Sequence, residues 1–587
     1  MIARIVGALV AVASCIAFAP APAPASAADR AVAGKVIHAV FPTAETGFDP
    51  LFRYDYFARP YLVQPNTAVA LPEISADGKT WTIKVRPGIY FADDPAFKGK
   101  RRELVAADYV YSIKRIIDPK TRSNALTIVE GRFAGADAVL AKAKETGKFD
   151  YDAPMEGLQT VDRYTLRFKL NFPDYELLAN LTGSNMAAVA REVIEAYGDA
   201  SGWAMANPVG TGPYRLKDWQ RGRKIVLEAS PTFREELYPQ SNDPADRALA
   251  QKFKGRKLPL VDRVEVSIIE ESSPRMLAFR QGQIDFVSVP SDMVMTVLDE
   301  QNRLRPEYAK PGVRLLRVVQ PAVSYAYFNM EDPVVGGHDP ARIALRRAIS
   351  RSYNVDEEIR VIRQRQGLPA TQVVPPEMSS HDSTLDARTK YDPAAAKALL
   401  DKFGYKDRNG DGIRELPDGK PFVLTMASST TGLDREYDDL WQKGLAAIGI
   451  KVEFYKQKWP DLLKAARLGQ LQMWRLGNIN TTPEGFGFYG LLYGNNAGFS
   501  NLGRFKLAEY DRIYEQARGL PDGPERTKLS RRMSELVAAY APWVLLAFRY
   551  ESVLIQPWVE GFRYNPSYPH PWQFLDIDLK RRAAFEK

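Results

Sequence analysis

Alternating apolar and polar residues predict a chain in which strands and helices follow one another. Residues 80–85 alternate as a half-buried strand does, and the apolar residues of 109–117 then recur at helical spacing. Residues 214–227 hold two apolar-rich runs around a polar turn, which predicts a β-hairpin. Helical and strand patterns alternate again over residues 392–455. We therefore predict an α/β fold.

The first 27 residues have the pattern of a secretory signal peptide. An apolar run follows Arg4, and a Pro/Ala segment ends in small residues, which predicts cleavage after Ala27. Residues 12–15 also fit a lipoprotein cleavage box, in which Cys15 would be lipidated. Cleavage at that box would, however, make the signal peptide unusually short. We therefore expect soluble export, with lipid anchoring as the alternative. Because Cys15 is the only cysteine, we expect no disulfide in the folded part.

Length, composition and charge narrow the class of protein and its partners. A chain of 587 residues exceeds what one hydrophobic core serves, so we expect two or three lobes. A hydrophobic share of 45% and a charged share of 26% are typical of a globular protein. The net charge is +9, but acidic residues lie between almost all the basic clusters, so we expect no nucleic-acid partner. A modest basic field could still steer an anionic ligand.

Motifs for catalysis are missing from the sequence. It has no GxSxG or HExxH motif, and no cysteine lies in the folded part. Its histidines show no ligand spacing; they are His38, His338, His381 and His570. We therefore predict that the protein is not an enzyme and uses no metal or cofactor, although a catalytic carboxylate pair stays open.

Two glycine-containing stretches match ligand loops but lack the structural context. Residues 407–412 have the oxygen spacing of a calcium loop, but Asp418 stands at the twelfth position after Pro417, which favours a hairpin turn. Residues 485–490 match GxGxxG, yet they neither follow a convincing strand nor begin a useful helix. Their aromatic residues predict a loop that lines a pocket instead.

Four segments, taken together, resemble one protein family. They are GTGPY at 210–214, RPGIYF at 86–91, AADYVYS at 106–112 and AFRQGQIDF at 278–286. The chain thereby resembles the extracellular solute-binding proteins of family 5, the peptide/opine/nickel class that serves ABC importers. This resemblance implies an α/β, two-lobed periplasmic-binding-protein fold with an extra third domain and a hinge between the lobes.

The resemblance also implies a division of the chain. We expect the signal peptide at 1–27, lobe I from 28–48, 201–317 and 546–587, the extra domain II from 49–200, and lobe III from 318–545. A monomeric periplasmic protein is implied, one that captures a peptide or peptide-like solute in the interlobe cleft and delivers it to an inner-membrane permease with ATPase subunits. Three alternatives stay open: an exported hydrolase on the same scaffold, a non-transport receptor or chaperone, and a binder of a non-peptide anionic solute.

Candidate ligand-binding residues follow from the resemblance by position. They are Arg53, Tyr54, Asp55, Tyr56, Trp474, Arg475, Asn478, Phe488 and Tyr489. Arg475 would pair with a carboxylate or phosphate, or else be a surface residue.

Gly477 is the clearest departure from the family pattern. Peptide-binding relatives have an aspartate there, three residues after the tryptophan, which pairs with the α-ammonium of the peptide. A buried ammonium needs a paired acceptor, since leaving such a charge unpaired costs several kcal/mol. Either another acid, Asp55 or Glu484, supplies the charge, or the ligand has no free α-amine.

Overall fold

The computed structural model describes residues 35–41, 49–123, 125–480 and 482–585. The predicted signal peptide and Cys15 lie outside these residues. No helix in the described part of the chain is long and apolar enough to cross a membrane.

The described chain contains both strands and helices along its whole length. The strands are β1 Val36–Phe41, β2 Phe52–Tyr54, β3 Val63–Pro65, β4 Glu73–Ile74, β5 Thr80–Lys84, β6 Leu158–Asp162, β7 Thr165–Lys169, β8 Tyr214–Gln220, β9 Lys224–Ala229, β10 Arg263–Ile268, β11 Phe286–Ser288, β12 Arg314–Phe328, β13 Gly367–Pro369, β14 Val423–Ser428, β15 Lys451–Lys456, β16 Met473–Ile479, β17 Trp543–Ile555, β18 Val559–Glu560 and β19 Asp576–Ile577. The α-helices are α1 Ala106–Ile117, α2 Leu126–Val129, α3 Ala136–Thr146, α4 Glu176–Asn180, α5 Arg191–Tyr197, α6 Pro244–Lys252, α7 Ser272–Arg280, α8 Val294–Val297, α9 Pro340–Ser352, α10 Val355–Glu357, α11 Pro393–Lys402, α12 Gly432–Ala447, α13 Trp459–Arg467, α14 Ala508–Arg518, α15 Pro524–Tyr540 and α16 Leu579–Phe585.

Three larger sheets organise the fold. One joins β1, β10, β9 and β8 in that order, and its strands β8 and β9 confirm the predicted hairpin. A second joins β4, β5, β7 and β6. The third joins β11, β17, β12, β16, β14 and β15, with β13 paired to β17. Within it β14 is parallel to both β15 and β16, whereas β12 is antiparallel to both of its neighbours. The mixed sheets and intervening helices confirm the α/β class.

Strands β12 and β17 run side by side from one lobe into the other. Residues 314–319 of β12 pair with residues 550–555 of β17, and residues 323–327 pair with residues 543–548. The register shifts between these two halves, around Pro321, which has no N–H to donate to a ladder. We call this interruption the crossing point.

Separate cores lie on the two sides of the crossing point. Residues 51–209 build one core of their own, and three smaller clusters belong to the part of the chain that carries β1, β8–β11 and the C-terminal helix. The third sheet has a core on each face, because Tyr325 and Ala326, adjacent in β12, enter opposite clusters. The domain boundaries stay a prediction, with one amendment that we propose: Tyr56 belongs with lobe I, since it packs in a cluster of that lobe.

Several helices begin where the sequence offers an Asp-Pro pair. Asp243, Asp339 and Asp392 precede α6, α9 and α11, and each carboxylate accepts a backbone N–H of the first turn. Helix α1 follows Val105, which has no side-chain acceptor. There the Asp108 carboxylate accepts the Val105 N–H at 2.9 Å, so the start of α1 is still held.

Gly444 lets α12 approach the end of α9. A Cβ at Gly444 would lie 2.3 Å from the carbonyl oxygen of Ser352, whereas a Cβ at Gly432, on the same helix, would meet open space. We expect Gly444→Ala to lower the free energy of unfolding by about 1–3 kcal/mol, because the helices must separate to admit the methyl group. Gly432→Ala should leave stability unchanged or slightly higher. Urea denaturation of both variants checks this, and equal stabilities would contradict the close contact.

Candidate functional site

Strands β14 and β15 of the third sheet end level with each other, whereas their parallel neighbour β16 continues past them to the crossing point. Strands β14, β15 and β16 end at Ser428, Lys456 and Ile479. The N–H of Asn480 donates to the carbonyl oxygen of Pro321 at 2.8 Å, which joins the end of β16 to the crossing point. Ligands commonly bind beyond the carboxyl ends of such strands. We call this region the strand-end edge.

Large apolar side chains are exposed at the strand-end edge. Tyr455, Trp459 and Ile479 are 45%, 56% and 55% exposed. The ring of Trp459 lies 6.5 Å from that of Trp474, which is itself buried in the core. Exposed aromatic and aliphatic groups of this kind suit a surface that covers the apolar part of a ligand.

Asn478 and Gly477 are neighbours at the same edge. The Asn478 side-chain oxygen accepts a hydrogen bond from the Tyr325 hydroxyl at 2.8 Å, and Tyr325 stacks on Trp543 with ring centroids 3.6 Å apart. This fixed partner orients the Asn478 amide. A Cβ at Gly477 would lie 3.1 Å from the carbonyl oxygen of Val323, so the neighbouring strand leaves little room for a side chain. Because residue 477 is glycine, the strand offers no carboxylate at this position.

Arg475 has protein partners already. Its guanidinium donates to the Asp434 carboxylate at 2.7 Å and lies 3.5 Å from the centroid of the Tyr437 ring. With a carboxylate and an aromatic face in contact, Arg475 is a poor candidate for a free anion-binding group.

Arg53 belongs to a charged network at the start of domain II. It forms an ion pair with Glu236, while Arg234 lies 2.7 Å from Asp49 and 3.3 Å from Glu236. Thr211 donates to the Asp49 carboxylate at 3.4 Å. The network therefore docks the GTGPY segment against the chain that enters domain II.

Tyr54 reaches from this segment towards lobe III. Its side chain is buried, and its hydroxyl lies near Thr482. Burial raises the pKa of Tyr54 well above its usual value, and the nearby Glu484 carboxylate adds to the rise. Tyr54 is therefore a neutral hydrogen-bonding group between the lobes.

Asp55 and Tyr56 are held by protein contacts. One Asp55 carboxylate oxygen accepts the N–H groups of Phe57 and Ala58, each at 2.8 Å. Tyr56 is buried and stacks on Phe574 with ring centroids 4.1 Å apart. These contacts give both residues a structural role, and we do not carry them into the proposed ligand site.

Phe488 and Tyr489 lie in the GxGxxG stretch, which forms a 3₁₀ helix rather than an open loop. Both side chains are buried, at 1% and 0% exposed. The Tyr489 hydroxyl shares a 2.9 Å hydrogen bond with Ser534, and burial raises the pKa of Tyr489. The aromatic residues of this stretch therefore build the core of lobe III.

A buried ion pair near Tyr54 left no signal in the sequence. Arg526 is 1% exposed and lies 3.0 Å from the Glu484 carboxylate and 3.2 Å from Asp522. Glu484 also accepts the Ser379 hydroxyl at 2.7 Å and the Phe486 N–H at 2.8 Å. Glu484, like Asp55, therefore already has hydrogen-bonding partners within the protein and is a poor substitute for the aspartate that residue 477 lacks.

Glu176 of domain II faces this ion pair. A Cβ at Gly487 would lie 2.8 Å from one Glu176 carboxylate oxygen, and Arg132 lies 3.8 Å from the other. Burial raises the pKa of Glu176 to about 7, and the carboxylates of Asp174 and Glu484 add to the rise, against the opposing charges of Arg132 and Arg526. Glu176 is thus the carboxyl group at this contact that titrates near neutral pH.

The calcium-like stretch brings three carboxylates together. Ligand oxygens of Asp407, Asp411 and Glu415 lie within 4.8 Å of one another. Both Asp407 oxygens, however, accept backbone N–H groups of Gly410 and Gly412, at 2.7 and 2.9 Å. These bonds close a tight turn, which is the role that the sequence favoured.

Comparisons with known proteins match most of the chain. A family model described as "Bacterial extracellular solute-binding proteins, family 5 Middle" matches residues 63–500. "Heme-binding protein A" of Haemophilus influenzae is 25% identical over 498 residues, covering 84% of this chain and 80% of that protein. "Di/tripeptide-binding protein 2" of Pseudomonas aeruginosa is 24% identical over 570 residues, covering 93% of this chain and 95% of that protein.

Solved structures match the fold over a similar length. The periplasmic binding protein DppA from Helicobacter pylori, in complex with the peptide STSA, has a TM-score of 0.65 at 22% identity and covers 92% of this chain and 98% of its own. HbpA2 from Haemophilus parasuis has a TM-score of 0.68 at 18% identity, and the match covers 93% of this chain and 99% of HbpA2. These likenesses confirm the predicted periplasmic-binding-protein fold.

Proposed function

The chain belongs to the bacterial extracellular solute-binding proteins of family 5, and from this premise we propose that it captures a peptide-like solute for an ABC importer. The solute binds at the strand-end edge of lobe III and is covered by lobe I. The protein then delivers it, as a periplasmic monomer, to an inner-membrane permease with ATPase subunits. The family consists of solute-binding proteins without catalytic activity, and we propose the same for this chain.

The observation that carries the proposal is the pair of strands β12 and β17. Both run through the crossing point beside the strand-end edge, and the wider of the two breaks in their pairing lies there. A rotation at this interruption would change the distance between the lobes while each half of the ladder keeps its hydrogen bonds. A ligand that touches both lobes then stabilises the closed arrangement through contacts that the open one lacks.

The chemistry of the edge favours a ligand that needs no free α-ammonium. Gly477 offers no carboxylate, and Asp55 and Glu484 are engaged by backbone N–H groups and by Arg526. The exposed ring of Trp459 and the oriented amide of Asn478 offer an apolar contact and a hydrogen bond. We therefore propose N-blocked peptides or peptide-like acids and amides as the ligand class.

Thermal-shift measurements with matched peptides test this ligand class. We expect N-acetylated di- and tripeptides to raise the melting temperature at least as much as the same peptides with a free amine, because only ligand bound to the folded state stabilises it. If only the free-amine peptides raise the melting temperature, the ligand class is wrong although the solute-binding role stands.

Two substitutions at the edge test the location of the site. We expect Trp459→Ala with Asn478→Ala to weaken binding of a stabilising peptide by tenfold or more, the equivalent of about 1.4 kcal/mol. Trp459 is 56% exposed, so its truncation should change the unliganded melting temperature little, whereas loss of the Asn478 amide should lower it, because the buried Tyr325 hydroxyl loses its acceptor. Trp203→Ala removes a partly exposed tryptophan that contacts Thr121 and Arg115; it is the control and should bind normally. Calorimetric titration gives the affinities, and unchanged affinity in the double variant would contradict the site.

A further inference from the structure

A cavity lies on lobe I, away from the strand-end edge. It has a volume of about 780 Å³ and opens to solvent. Its walls come from α6, the turn before β12, the turn after β17, and the C-terminal helix α16. Arg314 is the first residue of β12 and Pro557 follows the end of β17, so this cavity lies at the far ends of the two crossing strands. Its size is typical of a small-molecule site.

The cavity is lined by four cations and one carboxylate. The cations are Lys252, Lys310, Arg314 and Arg581, and the carboxylate is Glu560. Lys252 lies 2.7 Å from Glu560, and Arg581 lies 3.8 Å from the same oxygen. Glu560 is therefore shared by two of the cations.

Arg314 and Lys310 donate hydrogen bonds to neutral carbonyl oxygens of the described residues. Arg314 donates to the carbonyl oxygen of Val559 at 2.7 Å, and Lys310 donates to that of Arg280 at 3.0 Å. Neither forms an ion pair with a described carboxylate. An anion that enters the cavity can accept charge-assisted hydrogen bonds from both, and such bonds are stronger than bonds to neutral groups.

Apolar side chains fill the remaining wall. They include Leu249, Val559, Pro557 and Phe585. The Lys310 ammonium lies 4.3 Å from the centroid of the Phe585 ring, so the charged and the apolar parts of the wall adjoin. This combination selects a molecule with one anionic end and one apolar end.

We propose that this cavity binds a small amphiphilic anion, a carboxylate on an apolar body. The carboxylate lies between Arg314 and Lys310, and the apolar body lies against Phe585 and Leu249. This site is separate from the proposed transport site and requires neither its ligand nor its closure.

Octanoate and octan-1-ol, which differ in charge but share the hydrocarbon chain, test the proposal by calorimetric titration of the whole protein. We expect octanoate to bind, and octan-1-ol to bind at least tenfold more weakly. The double variant Arg314→Gln/Lys310→Gln should weaken octanoate binding by at least tenfold, because both cations are removed while each position keeps a polar side chain. Both residues are exposed, so the variant should fold.

Two control variants distinguish binding in this cavity from non-specific attraction to surface cations and from binding at the strand-end edge. Lys142→Gln/Lys144→Gln removes two exposed cations from α3 and should bind octanoate normally. Trp459→Ala/Asn478→Ala should also bind it normally, because these residues belong to the strand-end edge. Equal binding of octanoate and octan-1-ol, unchanged binding by the Arg314/Lys310 variant, or loss of binding in the Trp459/Asn478 variant would each overturn the proposal.

Discussion

Arg526→Leu is expected to lower the free energy of unfolding by about 3–5 kcal/mol. Arg526 is 1% exposed, and its guanidinium contacts Glu484 at 3.0 and 3.1 Å. Leucine fills part of the volume but leaves Glu484 buried without its cation. Removing one partner of a buried ion pair has a cost of this size, since the remaining charge stays desolvated.

A second arginine on the same helix is the matched control. Arg532 is about half exposed and pairs with the partly exposed Glu509 at 2.7 Å. Arg532→Leu should change stability by less than about 1 kcal/mol, because surface ion pairs contribute little. Urea denaturation followed by circular dichroism compares the two variants. Similar losses in both would contradict a special role for the buried pair.

Glu176→Gln is expected to raise stability at pH 8 and to leave it nearly unchanged at pH 4.5. Burial raises the pKa of Glu176 from 4.5 to about 7. Below pH 4.5 the group is protonated in both the folded and unfolded states. As the pH rises towards 7 the unfolded chain ionises first, so the wild type loses stability through this window and glutamine does not.

The expected gain at pH 8 is on the order of 1–3 kcal/mol, less than the full shift implies because the side chain is 21% exposed. Calorimetric melting temperatures at pH 4.5 and pH 8 measure it. Glu145→Gln, on the exposed side of α3, is the control and should shift neither temperature appreciably. A glutamine variant that is less stable than the wild type at pH 8 would show that Glu176 is held as a carboxylate instead.

Local patterns in the sequence were enough to predict many elements of the fold. Strand β5, helix α1 and the hairpin of β8 and β9 follow from periodicity, turn residues and the Asp-Pro pairs that begin or end helices. The family, too, could be identified from four short segments. These features depend on residues close together in the chain, so their signal survives without tertiary contacts.

The candidate site was only partly predictable, because accessibility depends on tertiary packing. Trp474 and Asn478 do lie on the same strand, β16, Trp474 near its start and Asn478 near its carboxyl end. Phe488 and Tyr489 were expected in a pocket, yet they lie in the core, since an aromatic residue suits either place. The exposed ring of Trp459 was missed, although its position after β15 marks the end of a strand.

The sequence by itself therefore determined the α/β class, the family, and the absence of a carboxylate at Gly477. Only the tertiary structure decided which charges are free. Asp55, Arg475 and Glu484 look available in the sequence but have partners that lie far along the chain or in a local turn. Arg314 and Lys310, unremarkable in the sequence, donate to carbonyl oxygens and form no ion pair with a carboxylate among the described residues. The reason is physical: a charge is paired or unpaired by neighbours in space, and those neighbours are set by folding.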